Sequence, residues 1–430
     1  MTSSNSCLAT AKTTWSLAQW LNYLLAIHPT EIDMGLDRLN RVFQRLQLSF
    51  PRTQVITVAG TNGKGSTCRF IELALLSMDK SVVVYSSPHI SDYRERVRVN
   101  GAMLPAQVFC KAFVQIERLR GEDTLTYFEF GTLAALLLAF QKSPDYLILE
   151  VGLGGRLDAT NIIDTDLAVI TSIDLDHESF LGSTRESVAY EKAGIFRPNV
   201  PIVLGDRDTP SVMLNSANQH ARGLLVKGAN FDITVKDNGT WSWRSENNQL
   251  TELPKPLLLR DNLSTAFAAL EQLGLLPQLL KHQDDFNSLV ATASLPGRMQ
   301  IIQSEPLWLI DVGHNPHAAK AIATHIAGLD KQSVYIIVGM MKDKSIADTL
   351  HQFASLSPKW LTVSLPGERA ASAADIARLL SAESVLGEFA NVAEAVSRVK
   401  AHVTEQDIVL VFGSFVTVDQ ILTLQEQNAL

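Results

Sequence analysis

At 430 residues the chain exceeds what one hydrophobic core normally supports, so two domains are expected. Hydrophobic residues at 46% and charged residues at 19% suit a soluble α/β enzyme, and a formal charge of −8 argues against a nucleic-acid binder. Three scattered cysteines, Cys7, Cys68 and Cys110, exclude a disulfide framework and point to a reducing compartment.

In chain order, residues 1–14 are polar, hold no apolar segment of the secretory kind and are expected to fray. Residues 15–25 carry Trp15, Leu17, Ala18, Leu21, Leu24 and Leu25 at helical spacing. HPTEIDMGLDRLNRVFQRL then feeds an amphipathic helix with Leu36, Leu39, Val42, Phe43 and Leu46 on one face. Within it, Glu31-Ile32-Asp33-Met34 is a plain helix entry, where acidic residues are favoured. QVITVAGTNGKGST (54–67) is the stretch that organises the rest. Val55, Ile56, Val58 and Ala59 form an apolar strand, residues 60–66 a glycine-rich turn, and Phe70, Ile71, Leu73, Ala74 and Leu75 a following helix. Together they make a phosphate cradle. Backbone N–H groups and the helix N-terminus face an anion, Lys64 reaches its terminal oxygens, and Ser66 or Thr67 offers a hydroxyl to Mg²⁺. Gly65 separates lysine from serine, a departure from GxxxxGK[ST]. The alternative is an ordinary turn that needs its glycines only for backbone angles.

A second β-type run (81–86) ends at Ser87-Pro88-His89. Ligands gather beyond the C-terminal ends of parallel strands, which would set Ser87 near a nucleotide-bound Mg²⁺; a simple Ser-Pro turn is the alternative. YRERVRVN (93–100) alternates like a half-exposed strand or extended loop. Its Arg94, Arg96 and Arg98 are either a solvated face or a surface for an anionic tail. Residues 126–140 are a helix entered through TYFEFGT, whose Tyr127, Phe128 and Phe130 serve as core or as pocket wall. YLILEV (146–151) is a buried strand ended by Glu150, ahead of Gly152-Leu153-Gly154-Gly155-Arg156. A buried, unpaired carboxylate is costly, and ligation of oxygen-seeking Mg²⁺ would satisfy it. LAVITS (167–172) leads to Ile173-Asp174-Leu175-Asp176-His177, on the same sheet edge as Lys64 and Glu150. ESVAYEKAGIF (186–196) is a helix whose Glu191 and Lys192 read, on their own, as a surface ion pair. A short strand (201–205) follows, then a hairpin in FDITVKDNGTWSWR (231–244) around Asn238-Gly239, a stiff connector (253–256), and an alanine-rich helix opened by Arg260-Asp261-Asn262-Leu263.

Leu295-Pro296-Gly297-Arg298 marks the domain boundary, giving domains 1–295 and 296–430. In the second, strands at 307–311, 334–339, 360–364 and 408–413 alternate with helices. Its marked strand ends are Asp311-Val312-Gly313-His314-Asn315-Pro316-His317 and Gly413-Ser414-Phe415, though Asn315 with Pro316 is also an ordinary helix cap. The fold class is α/β with two doubly wound domains, an N-terminal P-loop ATPase domain and a smaller C-terminal Rossmann-like domain.

TNGKGS, SSPHI…RERVRVNG, TYFEFGTLAALL, LEVGLGGRLDATN, TSIDLDH, EKAGIFR, LPGRMQ, DVGHNPHA and VFGSF occur in that order across residues 15–418. The series resembles the bifunctional dihydrofolate synthase/folylpolyglutamate synthase family of bacteria, within the Mur-ligase-like group of ATP-dependent amide-forming ligases. The resemblance implies that Gly60, Thr61, Asn62, Gly63, Lys64, Gly65, Ser66 and Thr67 hold ATP, with Asn262, Arg298 and Asp311. It implies two Mg²⁺ ions on Ser66, Ser87, Glu150, His177 and Lys192. Lys192 would be carbamylated by CO₂ into an anionic ligand, which requires a neutral amine and so a lowered pKa. Lys64, Lys192 and His314 take the catalytic roles, His314 facing the reacting phosphate or the incoming glutamate. The pterin substrate would lie against Glu31, Ile32, Asp33, Met34, Tyr127, Phe128, Glu129, Phe130, Arg156 and Asp158.

The expected reaction belongs to folate biosynthesis and one-carbon metabolism, in an interdomain cleft of a cytoplasmic monomer with no membrane or nucleic-acid partner. ATP phosphorylates a carboxylate of dihydropteroate or of a reduced folate, and the L-glutamate amine attacks the acyl phosphate to give an amide, ADP and phosphate. EIDMGLDR and TYFEFGT together resemble the members that use both acceptors. Two rivals stand beside this reading. A peptidoglycan Mur ligase would show a GKT[ST] loop and an N-terminal UDP-sugar domain. A P-loop switch would bind nucleotide without glutamate-dependent ADP release.

Overall fold

The structure is a computed structural model describing residues 12–237 and 239–427. The chain forms two compact units. One runs to Pro256 and includes Arg260–Ala293; the other comprises Leu257–Leu259 and the chain from Ser294. Residues 257–259 join the second unit although helical sequence of the first unit follows them, which no local pattern indicates.

The first unit is built on an eight-stranded sheet: β1 (Gln54–Ala59), β2 (Val82–Tyr85), β3 (Val97–Val99), β4 (Ala102–Met103), β5 (Tyr146–Glu150), β6 (Leu167–Ile170), β7 (Val200–Leu204) and β8 (Ala221–Val226). Their order is β4-β3-β2-β5-β1-β6-β7-β8. β2, β5, β1, β6, β7 and β8 run parallel, while β3 and β4 are an antiparallel edge. Strands such as VVVY and LAVI are apolar throughout because both of their faces are buried. Register fixes where they stop. Glu150 pairs with Val58, Ile170 with Ala59, and Leu149 with Tyr85, so four neighbouring strands end within two residues of one another.

A three-stranded antiparallel sheet, β9 (Phe231–Val235), β10 (Trp241–Ser245) and β11 (Gln249–Leu253), adds the expected hairpin and one more strand. Asn238 of its turn lies outside the described residues. Trp241 stacks on Phe267, 5.6 Å between centroids, and so ties this sheet to the helix Arg260–Gln272. The second unit holds β12 (Gln300–Gln303), β13 (Leu307–Asp311), β14 (Val334–Val338), β15 (Lys359–Val363), β16 (Val385–Phe389) and β17 (Ile408–Phe412), in the order β12-β13-β17-β14-β15-β16. Only β12 runs antiparallel. β12 and β16 lack the apolar run that reveals the other four, because as edge strands they are largely unburied.

Several local expectations change. Residues 1–11 lie outside the described residues, but Lys12 is buried, not frayed, paired with Glu117 at 2.7 Å and set over the Tyr23 ring. Residues 30–35 are not a helix entry; the helix begins at Asp37. The arginines of YRERVRVN are not a solvated face. Tyr93–Arg96 is a 3₁₀ turn with Arg96 buried, and Arg98 on β3 reaches the fully buried Glu72 at 2.9 Å. The cause is an inner face of β3 turned toward the helix Lys64–Leu76. No helix among the described residues is long and apolar enough to cross a membrane. Cys68 and Cys110 are free thiols, and Cys7 lies outside the described residues.

Candidate active site

The turn after β1 is held in shape from below. Thr61 N–H donates to Ser172 O at 2.7 Å, the Thr61 hydroxyl to Asp174 O at 2.9 Å, and the Thr171 hydroxyl to Asn62 O at 2.6 Å. Gly63 takes φ +84° at the N-cap of the helix Lys64–Leu76, a conformation that strongly favours glycine. A Cβ there would also lie 2.2 Å from Asn262 Oδ1, so Asn262 rests directly on the glycine turn. Lys64 Nζ donates to Gly60 O at 2.9 Å and Thr61 O at 3.3 Å, curled over the loop. The Thr67 hydroxyl is directed at Asn262 O at 3.4 Å, and Ser66 beside it is 3% exposed.

Glu150 ends β5 with 5% exposure, one residue level with Val58. The thiol of Cys68 is pushed far up, first by burial and then by the charge of Glu150, which places that carboxylate beside the phosphate-loop helix. Since Tyr85 is level with Leu149, Ser87 falls just past Glu150 on the neighbouring strand. His177 occupies the left-handed region at φ +52°, after β6, with Nε2 4.0 Å from Asp176 Oδ1. Lys192 is no surface residue. It is 4% exposed, Glu191 pairs with Arg156 instead, and burial followed by the charge of Lys64 brings its amine down to about 7. Asp176 and Asp158 oppose that shift only in part. Among the described residues, no three His, Cys, Asp or Glu side chains form a metal cluster by themselves. The set Ser66, Ser87, Glu150, His177 and Lys192 is nonetheless chemically suited to Mg²⁺ once Lys192 carries a carboxylate, because it is then dominated by oxygen donors.

Around the glycine turn 152–155, a Cβ on Gly152 would meet Phe128 Cζ at 2.5 Å, and one on Gly154 would meet Met34 Cε at 3.7 Å. The structure thus brings Met34 of the 31–34 segment and Phe128 of the TYFEFGT helix to the same turn. Asp158 is buried there, accepting from Leu153 N at 2.8 Å, Thr160 N at 3.0 Å and the Thr160 hydroxyl at 2.6 Å; burial raises its pKa. It organises the turn. Phe130 is not a pocket wall: it is fully buried against Phe113 and Trp20, because its position on the helix Tyr127–Lys142 faces the core. Glu129 is buried as well, closing a capping box with Thr126. Arg156 is committed to Glu191 at 2.8 Å and lies 5.6 Å from the Tyr190 ring. Glu31 and Ile32 are exposed.

In the second unit, Asp311 ends β13 buried, accepting from Met299 N at 2.8 Å and Gly313 N at 2.7 Å, and burial raises its pKa against the pull of Arg298. Arg298 lies over the Phe415 ring at 5.1 Å, and the His314 ring approaches the same ring at 6.4 Å. His314 Nδ1 is 2.9 Å from Val312 O. Asn315 does cap the helix Pro316–Ala327. The residues that sequence reasoning passed over are Arg38, partly buried with a 20% exposed side chain, and Glu72, fully buried. Glu72 has a local signal, a charge within an otherwise packed helix, whereas Arg38 in DRLNRVFQRL has none.

The Mur ligase middle domain matches residues 58–270, and the Mur ligase glutamate ligase domain matches residues 297–415. With a glycine-turn lysine, a buried strand-end glutamate and a buried lysine at one sheet edge, the chain is an ATP-dependent ligase of the Mur type. The dihydrofolate synthase/folylpolyglutamate synthase of Escherichia coli (strain K12) is 43% identical over 407 residues, 94% of either chain. The structure of E. coli FolC in complex with DHPP and ADP matches with a TM-score of 0.90 at 41% identity, covering 97% of this chain and 99% of that one. The Yersinia pestis bifunctional folylpolyglutamate synthase/dihydrofolate synthase, complexed with AMPPNP and a Mn ion, gives 0.89 at 42% identity over 96% and 99%. This chain belongs to the dihydrofolate synthase/folylpolyglutamate synthase family.

Proposed function

We propose that the chain joins L-glutamate to dihydropteroate and to reduced folates, through an acyl phosphate formed from ATP. The observation that carries this reading is the ending of β1, β2, β5 and β6 within two residues of one another, which gathers Lys64, Ser87 and Glu150 behind one glycine turn. Gly60 to Thr67 and Asn262 bind the nucleotide, and Lys64 neutralises charge on the transferred phosphoryl group. Ser66, Ser87, Glu150, His177 and Lys192 would hold two Mg²⁺ ions. Bound there, the ions offset charge on the phosphate oxygens. The buried Lys192 amine adds to CO₂, forming an N–C bond and releasing one proton, and the product is an anionic carbamate. The family resemblance supports a nucleotide role for Arg298 and Asp311 and an orienting role for His314. The chain would act as a monomer in the cytoplasm.

The test is coupled ADP release with dihydropteroate and tetrahydrofolate supplied separately, each with and without L-glutamate. Glutamate-dependent release with both acceptors is expected. Use of the folate alone means a monofunctional folylpolyglutamate synthase, and ADP release that ignores glutamate overturns the ligase reading.

A further inference from the structure

Arg38 forks between two carboxylates from different parts of the chain. Its Nη1 donates to Asp33 Oδ2 at 2.6 Å, and its Nη2 to Glu129 Oε1 and Oε2 at 2.8 and 2.9 Å. Glu129 Oε2 in turn accepts from Thr126 N at 2.7 Å, so the pair is locked to the start of the helix Tyr127–Lys142. The residues beside each carboxylate touch the same glycine turn, Met34 near Gly154 and Phe128 against Gly152. Arg38 therefore sets the spacing of the two segments that reach the turn. His28 Nε2 stands 3.4 Å from the same oxygen, Asp33 Oδ2. Asp33 is 43% exposed, and its other oxygen, Oδ1, takes no hydrogen bond among the described residues. The 2-amino-4-oxopyrimidine edge of a pterin presents adjacent N–H donors, which such an oxygen accepts.

We infer that Arg38 is a positioning residue for the pterin, holding Asp33 against the TYFEFGT helix so that Oδ1 faces the ring, and that it thereby favours dihydropteroate over folate acceptors. The inference rests on the proposed two-acceptor function. In dihydropteroate the reacting carboxylate is attached to the benzoyl ring, whereas in a folate it lies one glutamate further out. A single phosphate centre then requires the pterin at different depths, and only one depth uses the Asp33 edge.

The experiment measures KM and kcat for dihydropteroate and tetrahydrofolate, at saturating ATP and L-glutamate, in wild type, Arg38→Gln, Arg38→Lys, Asp33→Asn and Arg38→Gln/Asp33→Asn. Arg38→Gln is expected to raise the KM for dihydropteroate about 10-fold more than that for tetrahydrofolate, the worth of a charge-assisted hydrogen bond, with a smaller change in kcat. Arg38→Lys restores part of this, since one ammonium cannot fork to two carboxylates. In the Asp33→Asn background Arg38→Gln adds little, as expected when two residues act through one contact. Equal KM changes for both acceptors, or full additivity with Asp33→Asn, overturn the inference. Arg38→Gln leaves Glu129, with a 5% exposed side chain, unpaired; if it fails to fold, Arg38→Gln/Glu129→Gln removes that charge and is judged by the same KM comparison. A wild type that ignores dihydropteroate overturns the proposed function and this inference together. A wild type that uses both acceptors, with variants shifting both equally, overturns this inference alone.

Discussion

Gly155→Ala tests whether the glycine turn sets the position of Lys192. Gly155 lies outside the left-handed region, so alanine carries no backbone penalty there. Its Cβ, however, would stand 2.9 Å from Glu191 O, 3.0 Å from Lys192 Cα and 3.0 Å from Lys192 O. All three are backbone atoms and cannot rotate away. Ordinary contact begins near 3.4 Å, so the end of the helix Arg185–Ala193 must retreat by about half an ångström. The same Glu191 carbonyl accepts Arg156 N at 2.7 Å, so turn and helix resist being parted. Overpacking of this kind costs about 1–3 kcal/mol, a Tm loss of roughly 2–4 °C per kcal/mol in a domain of this size. Because a 1 Å misplacement can cost ~100-fold in rate, half of that predicts a kcat about 10-fold lower. Glutamate-dependent ADP release and a melting curve measure both quantities. Gly328→Ala is the control, since its nearest neighbour would be His325 O at an ordinary 3.5 Å. Wild-type kcat in folded Gly155→Ala, or an equal loss in Gly328→Ala, would refute the argument.

Lys64→Ala is expected to abolish turnover with Tm nearly unchanged, because Lys64 Nζ donates to carbonyls of its own loop, Gly60 O and Thr61 O, rather than into the core; near-normal ADP release from the folded variant removes the phosphate-loop assignment. Lys192→Ala should lose activity and regain part of it with a short added carboxylate such as acetate, while a high-resolution map showing an unmodified amine far from any metal ends the carbamate proposal. Glu117→Gln should destabilise the first unit by about 3 kcal/mol, since it breaks a buried network with Arg120, Lys12 and Tyr23. Burial alone would raise the Glu117 pKa, but those hydrogen bonds outweigh it and leave it lowered. The stabilisation is therefore complete above the unfolded value near 4.5 and lost as pH falls through the folded one. In urea melts the gap between wild type and variant should be constant from pH 6 to 8 and close in acid; a gap that persists at pH 2 contradicts the assignment.

The sequence by itself determined the strand–glycine turn–helix unit, since strand, turn, lysine and helix start lie within residues 54–67 and their geometry is local. It also determined the alternation of buried strands and helices that makes both units doubly wound, because apolar runs and helical periodicity are written residue by residue. What each charged or aromatic side chain does was decided only by the tertiary structure. Arg98 finds Glu72 across 26 positions, and Arg38 finds Glu129 across 91, so neither pairing leaves a trace in spacing. Phe128 meets the glycine turn while Phe130, two residues on, enters the core, because successive positions on a helix point to different neighbours. Lys192 followed the same logic: beside Glu191 it looks like half of a surface pair, yet it is buried, and burial followed by the charge of Lys64 brings the amine to about 7. Local pattern fixes which elements form. The fate of a polar side chain depends on which element covers it, and that is settled by sheet order and register.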